Sequence, residues 1–224
     1  MSLIVIPLLL RRPPANDVRW WIHLIGHFPF VGLPIVASIA TGNGQLPEMT
    51  HELIDVLTAD GAFTGIVKPK PDVHRDGDWH RSAHVWIVAS DGRVLLQRRA
   101  LVKDTWPGLW DVSVAGHVAA GESSIDAAIR ETFEEIGLTI ASDELIPIGA
   151  LTYHCALRDG YVENEFHDVY LLRRDLDLAS LVLDPLEVAE VEFVWLEDLE
   201  RYERVPHEEE YALLRSLSPR LRAG

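Results

Sequence analysis

Cysteine occurs once, at Cys155, so no intrachain disulfide can form. This excludes the disulfide-stapled secreted class and fits a reducing, cytoplasmic setting. Basic residues are also scarce: 20 Lys and Arg stand against 35 Asp and Glu, a formal charge of -15. A chain this acidic repels nucleic acid and anionic membrane surfaces, so neither is expected as a partner. Any anionic small molecule must be held by a few local cations or by metal ions. Internal repeats and long low-complexity tracts are absent. What is present is apolar content of 48% in 224 residues, enough for one well-buried domain plus an extension.

Charge disappears altogether between Trp20 and Pro47. The stretch "WWIHLIGHFPFVGLPIVASIA" is long enough to cross a bilayer. Arg11, Arg12 and Arg19 precede it, and "SIA" ending at Ala40 is like a small-residue cleavage site. Against a membrane segment stand His23, His27, Pro29 and Pro34, which interrupt the apolar run. Three readings stay open for residues 1–48: a membrane anchor or export signal, a helical hairpin packed on the domain, or a dispensable leader. The leader is favoured, because "MTHELIDVLTADGAFTG" from Met49 reads like a fresh start: a strand, an Asp-Gly turn and a second strand. The working domain is therefore expected to span 49–224.

Beyond Met49, strands alternate with a few helices. "AHVWIVA" (83–89) and "RVLLQRR" (93–99) are strand-like and joined by "SDG". "DVSVA" (111–115) is a further short strand. "ELIPIGALTYHCAL" and "YVENEFHDVYLLRR" form two more, turning at "RDG" (158–160). "VAEVEFVWL" (188–196) closes the sheet, and "HEEEYALLRSL" (207–217) reads as a C-terminal helix. Mixed strands with helices between them predict an α/β fold built as a helix–sheet–helix sandwich.

The segment "GHVAAGESSIDAAIRETFEEIGL" (116–138) raises a physical question. Ser123 is a good N-cap, Asp126 completes a weak capping box, and Gly137 is placed to end the helix in a left-handed turn. Ile125, Ile129, Phe133 and Ile136 recur at helical spacing and predict the buried stripe. Glu131, Glu134 and Glu135 then share the opposite, exposed face, although like charges at this spacing destabilise a helix. Arg130, four residues before Glu134, offsets part of the repulsion. A solvated charged face accounts for acidic residues in general. It does not account for Gly116, Gly121 and Glu122 leading into the same helix. A hard divalent cation, Mg²⁺ or Mn²⁺, supplies a reason for the clustering. Such an ion can bridge a diphosphate, neutralise developing charge and activate water.

This segment resembles the Nudix box, G-x5-E-x7-R-E-U-x-E-E-x-G-U with U aliphatic. Gly116, Glu122, Arg130, Glu131, Glu134, Glu135, Gly137 and Leu138 fall in register, and Thr132 departs at the first U. The resemblance implies a Nudix-type α/β/α sandwich with a mixed β-sheet. It implies metal binding by Glu131, Glu134 and Glu135 with Gly116, and catalytic roles for Glu131, Glu134 and Arg130. The residue matching Glu131 often acts as general base or ligand, and the one matching Arg130 orients carboxylates such as Glu122.

A narrower resemblance covers about Lys70 to Glu165. "KPDVH…WHRSAHVWIV", "LLQRRALVKDTWPGLWDVSVAGH" and "YVENE" are similar to the isopentenyl-diphosphate isomerase branch of the superfamily. That similarity implies a metal site from His74, His80, His117, Glu163 and Glu165. It also implies a diphosphate grip from Lys70, Arg99 and Lys103, with Tyr153 matching the branch's tyrosine. Trp106 and Trp110 are expected to wall the pocket, and Trp86 and Trp195 to be core. One departure decides the chemistry: Ala115 stands where the isomerase has its catalytic cysteine, and Cys155 lies in another segment. With no ionisable group at 115, and with an intact box, hydrolysis is expected instead. The expectation is a Mg²⁺- or Mn²⁺-dependent hydrolase cleaving a phosphoanhydride bond in a nucleoside diphosphate derivative or a small organic diphosphate. An isomerase-like protein and a non-catalytic diphosphate sensor are the alternatives. Association into a homodimer is left open.

Overall fold

A computed structural model describes residues 51–221. The apolar extension of residues 1–48 and the start at Met49 lie outside them. Among the described residues, no helix is long and apolar enough to cross a membrane.

The chain opens with an antiparallel pair, β1 (Leu53–Leu57) and β2 (Phe63–Pro69). A short helix that the sequence pattern does not announce follows, α1 (Lys70–Asp76). Proline in its first turn starts it without losing a needed donor, and Gly77, at φ +67°, stops it. Next come β3 (Trp79–Val88) and β4 (Val94–Arg99). β3 begins four residues earlier than its apolar run, because its whole length pairs in parallel with a later strand. The stretch 111–115, expected as one strand, divides between β5 (Trp110–Asp111) and β6 (Val114–His117). β5 pairs with β4 and β6 with β3, so the segment crosses from one partner to the other. Helix α2 (Ser124–Ile136) is followed by the long hairpin β7 (Leu145–Arg158) and β8 (Tyr161–Arg173). β9 (Val188–Val194) pairs with β4, and α3 (Glu208–Leu221) ends the described chain.

Period-two alternation in the central strands builds both faces of the sheet. Val85 and Ile87 of β3, with Tyr170 and Leu172 of β8, pack with Ala127, Ala128 and Ile136 of α2. Trp86 and Val88, with Val169 and Leu171, pack with Tyr211 and Leu214 of α3. One helix per face makes the α/β/α sandwich. Trp86 is fully buried as expected, whereas Trp195 is 38% exposed and is not core.

Helix α2 departs from the expected stripe. Its most buried side chains are Ala127, Ala128, Thr132, Glu135 and Ile136, with Ile125 and Ile129 only partly covered. Phe133 is 59% exposed. The small side of the helix lies against the sheet, where Ala and Thr permit close approach and a bulky phenyl ring does not. Thr132 is tolerated at its aliphatic position because its hydroxyl donates to the Ala128 carbonyl at 2.6 Å. At the helix end, Gly137 adopts φ +70°, and its N–H bonds the Phe133 carbonyl. A Cβ there would lie 2.9 Å from Val182 Cβ and 3.0 Å from the Val182 carbonyl oxygen. Gly137→Ala should therefore destabilise the domain by about 1–3 kcal/mol in denaturant unfolding, through left-handed strain and that backbone clash. An unchanged unfolding midpoint would show that the chain around Val182 yields freely.

Candidate active site

Strand β6 carries Ala115, Gly116 and His117 along one side of a cleft of about 760 Å³. The acidic helix contributes one set of groups to this cleft, and α1, β3 and β8 contribute another.

On the helix side, Arg130 uses all five of its N–H donors. Nε and Nη2 bind the two Glu122 oxygens at 2.9 and 2.8 Å. Nη1 binds Glu131 at 2.7 Å and Glu134 at 3.0 Å, and Nη2 also binds the His117 carbonyl at 3.0 Å. Arg130 thereby holds Glu122 below the usual carboxylate range, against the smaller opposing effect of burial. The box glutamates do not share one exposed face, contrary to the sequence expectation. Glu134 points out and is 54% exposed. Glu131 folds over Gly116, where an added Cβ would sit 2.0 Å from the Glu131 carboxyl carbon. Only glycine fits under that side chain. Glu135 turns inward and is buried, its Oε2 accepting from Gln97 Nε2 at 3.1 Å and from the Ala115 N–H at 3.4 Å. Burial, reinforced by Glu131, pushes the Glu135 carboxyl up to about 8. Burial also raises Glu131, with Arg130 opposing. Arg130 neutralises Glu131 in part and, among the described residues, no cation pairs with Glu135, a donor set that fits a hard divalent ion.

On the other side, His74 from α1, His80 from β3, His117 from β6 and Glu165 from β8 bring one ligand atom each within 4.8 Å of one another. The parallel register of β3 and β8 sets His80 directly beside Glu165. His80 Nδ1 lies 3.0 Å from the Asp78 carbonyl and His74 Nδ1 lies 3.4 Å from the Val162 carbonyl. The Nε2 atoms of His74, His80 and His117 are buried without a hydrogen-bond partner. Glu165 Oε1 stands 3.4 Å from His80 Nε2 and 3.7 Å from His117 Nε2. Burial and the neighbouring His80 push His74 down to about 4, and burial takes His117 well below its usual value. Burial opposes the Glu165 anion, but its histidine neighbours outweigh it and hold the acid well below the usual range. Two neutral imidazoles, a third imidazole and an anionic carboxylate converging through unpartnered atoms fit a divalent ion that accepts nitrogen ligands. Glu163, expected in this set, is not within it. It lines the same cleft, with its carboxyl pushed up to about 7 by burial and by Glu165.

The expected substrate cations line the cleft but are engaged. Lys70 Nζ lies 3.7 Å from Glu52. Arg99 binds Asp111 at 3.0 Å and the Thr105 carbonyl and hydroxyl at 3.1 Å each, so it braces the loop carrying Trp106. Lys103 pairs with Glu187. Trp106 lines the cleft, at φ +48° and with a buried, unpartnered Nε1. Trp110 does not line it and packs instead on Tyr202 at 5.3 Å. Tyr153 also faces the cleft, and its buried hydroxyl has no partner. Ala115 presents only a methyl group, in register with His84 across β3 and β6. Cys155 sits on β7 opposite Glu163.

Sequence reasoning passed over His84, His167, His207 and Glu210, a buried polar group in which the three histidines line the cleft and Glu210 lies behind them. Their only signal is a polar residue inside an otherwise apolar run, as in "AHVW" and "FHDVY". Burial disfavours the His167 cation, yet Glu165 and Glu210 overcome it and push the ring up to about 10.

A family model of the NUDIX domain matches residues 78–214. Over 158 residues the chain is 42% identical to "Nudix hydrolase 3" of Arabidopsis thaliana, an alignment covering 69% of this chain and 20% of that protein. The chain thus spans about a fifth of that relative's length. It is 35% identical over 152 residues to an isopentenyl-diphosphate Delta-isomerase of Cutibacterium acnes, covering 66% of this chain and 76% of that one. A crystal structure of a Deinococcus radiodurans protein shares the fold, with a TM-score of 0.57 and 24% identity over 74% of this chain and 98% of the other.

The difference between Glu134 and Glu135 gives a test. A carboxyl pushed up to about 8 keeps its proton in the folded state, so its contribution to stability falls as pH rises from about 4.5 to about 8. Glu135→Gln removes that loss. Without metal, its stability relative to the unmodified chain should grow over this window, reaching roughly 1–4 kcal/mol at pH 8. Glu134→Gln, on the exposed side of the helix, serves as the control and should change metal-free stability little. Parallel pH profiles for Glu135→Gln and the unmodified chain would contradict the buried position of Glu135.

Proposed function

We infer the function from the premise that this chain belongs to the Nudix family: it is a pyrophosphohydrolase that cleaves a phosphoanhydride bond with the help of a divalent ion. The substrate is a nucleoside diphosphate derivative or a small organic diphosphate. One observation carries the reading. The box is matched at every charged and glycine position, with Glu131 folded over Gly116 and Glu135 on the adjacent Ala115 N–H, at the edge of a cleft large enough for a diphosphate ester.

Glu131, Glu134 and Glu135, with the Gly116 carbonyl, are the groups that would hold Mg²⁺ or Mn²⁺. Bound there, such an ion supplies Lewis-acid stabilisation of the diphosphate and a more acidic water. The residues do the rest. Glu131, partly sheltered and raised by burial, is placed to take the proton of the attacking water. Arg130 positions Glu131 and Glu134 against repulsion and ties the helix to the strand beneath. Lys70 and Lys103 line the cleft and stabilise departing negative charge once their carboxylate partners give way. The net acidity of the chain fits a metal-bound small anion and argues against nucleic acid as partner.

A second reading has its own support. The His74–His80–His117–Glu165 cluster and the similarity to an isomerase favour isopentenyl diphosphate as a ligand. Ala115 argues against its isomerisation, which needs a proton donor or acceptor on each face of the double bond.

The test is a panel of nucleoside diphosphate derivatives and prenyl diphosphates, incubated with Mg²⁺ or Mn²⁺ while monophosphate products are measured. Hydrolysis is expected, falling at least about 100-fold in Glu134→Gln with the fold retained. Isopentenyl diphosphate in heavy water should gain no deuterium at carbon. Formation of dimethylallyl diphosphate by the unmodified chain would overturn the hydrolase assignment.

A further inference from the structure

We propose that Gln97 is a positioning residue for the hydrolytic metal centre: its side-chain amide holds one oxygen of Glu135 so that the other is presented to the divalent ion. The role rests on the carboxylate metal site inferred for this chain. It adds a residue of the sheet, outside the Nudix box, to the groups that shape that site.

Strand β4 sends alternate side chains to opposite faces of the sheet. Leu95 packs in the cluster that includes Ala127, Ala128 and Ile136 of α2, and Leu96 in the one that includes Tyr211 and Leu214 of α3. Gln97 shares the parity of Leu95 and so meets α2. It is 2% exposed. Its Nε2 donates to Glu135 Oε2 at 3.1 Å, and the Ala115 N–H reaches the same oxygen at 3.4 Å. Both donors fall on Oε2. Among the described residues, no hydrogen bond joins Glu135 Oε1. The carboxylate is therefore pinned through one oxygen, and the other is left for the cleft that Glu135 lines.

Both donors are also neutral. The cations nearby are committed to other acids, Arg130 to Glu122, Glu131 and Glu134, and Lys103 to Glu187. A neutral donor orients a carboxylate and leaves its charge to the ion, as partners of metal-binding carboxylates do. A lysine or arginine at this place would neutralise Glu135 and compete with the metal. Packing does not explain the amide. A leucine would fill this face of β4 as Leu95 does, whereas Gln97 brings an amide oxygen, Oε1, that is buried with no hydrogen-bond partner. Burying that oxygen unpaired costs free energy. What the amide gives in return is restraint of the one box glutamate that has no hydrogen bond from Arg130. Arg130 fixes Glu122, Glu131 and Glu134 from the helix side, and Gln97 fixes Glu135 from the sheet.

The experiment uses the full chain, stripped with chelator, and follows Mn²⁺ binding by the paramagnetic resonance of the free ion. The Mn²⁺ that competing Mg²⁺ releases reports the carboxylate site, because Mg²⁺ takes oxygen ligands and leaves imidazoles alone. Gln97→Met keeps the side-chain length and loses the amide. It should bind this Mn²⁺ roughly 10–100-fold more weakly, with thermal unfolding showing the variant folded. Glu135→Gln should weaken binding at least as much. The double variant should be no weaker than Glu135→Gln alone, because Gln97 acts only through that carboxylate. A lowered melting temperature for Gln97→Met with unchanged Mn²⁺ affinity would make Gln97 merely structural and overturn the proposal, as would additive losses in the double variant. No Mg²⁺-displaceable Mn²⁺ in the unmodified chain would overturn the carboxylate site itself, and the role of Gln97 with it. If Gln97→Met does not fold, Mn²⁺-soaked crystals of the unmodified chain decide. The ion is expected on Glu135 Oε1 with Gln97 Nε2 still on Oε2, and an ion on Oε2 with the amide turned away would overturn the role.

Discussion

Everything around the cleft hangs on the guanidinium of Arg130. Its five donors join the loop acid Glu122, the helix acids Glu131 and Glu134, and the backbone of His117. Without that cation, α2 would carry its acids against one another at the spacings where repulsion is strongest. With it, the helix lies on β6 closely enough that Gly116 has room for no side chain under Glu131. The bond to the His117 carbonyl also fixes the strand that delivers His117 to the histidine cluster. One side chain thus couples the carboxylate half of the cleft to the imidazole half. Its planar, fully used fork is something lysine cannot reproduce.

The electrostatics on both sides of β6 leave buried acids and imidazoles only partly satisfied by protein groups. Burying Glu135, Glu163 and Glu165 costs free energy that the protein groups offset only in part, so Glu135 and Glu163 are driven toward their neutral forms. Burial strips the charge from histidines, as at His74 and His117. The two chemistries are segregated. Oxygen donors, which suit hard ions, gather on the helix side. Nitrogen donors, which suit borderline ions, gather around Glu165. The cleft between them is lined by groups from both.

Much of this was legible in the sequence, for local reasons. The limits of α2 follow from Ser123, whose hydroxyl accepts from the Asp126 N–H at 3.3 Å, and from Gly137 in its left-handed turn. The sandwich follows from alternating apolar strands with an amphipathic helix between them. What failed was non-local or steric. Apolar spacing placed Phe133 inside, but the close approach of α2 to the sheet selects Ala128 and Thr132 and carries Glu135 inward instead. The seven residues of α1, opened by proline, carry too short a pattern to signal a helix, yet this helix brings His74 to the cluster. His84 and His167 look like outward polar positions of half-buried strands until α3 delivers Glu210 beneath them. No pattern in one strand reveals that β3 and β8 run in parallel and set His80 against Glu165.

The central claim is that Glu131, Glu134 and Glu135 hold the divalent ion that hydrolysis requires, with Arg130 restraining them rather than replacing it. The most direct measurement is anomalous diffraction at the manganese edge from crystals soaked in Mn²⁺. The account predicts a manganese peak bounded by the carboxylates of Glu131 and Glu135 and the carbonyl of Gly116, distinct from any peak at the histidines. Manganese confined to the histidine cluster, with Arg130 still closed on Glu131 and Glu134 and no density at the helix, would contradict it.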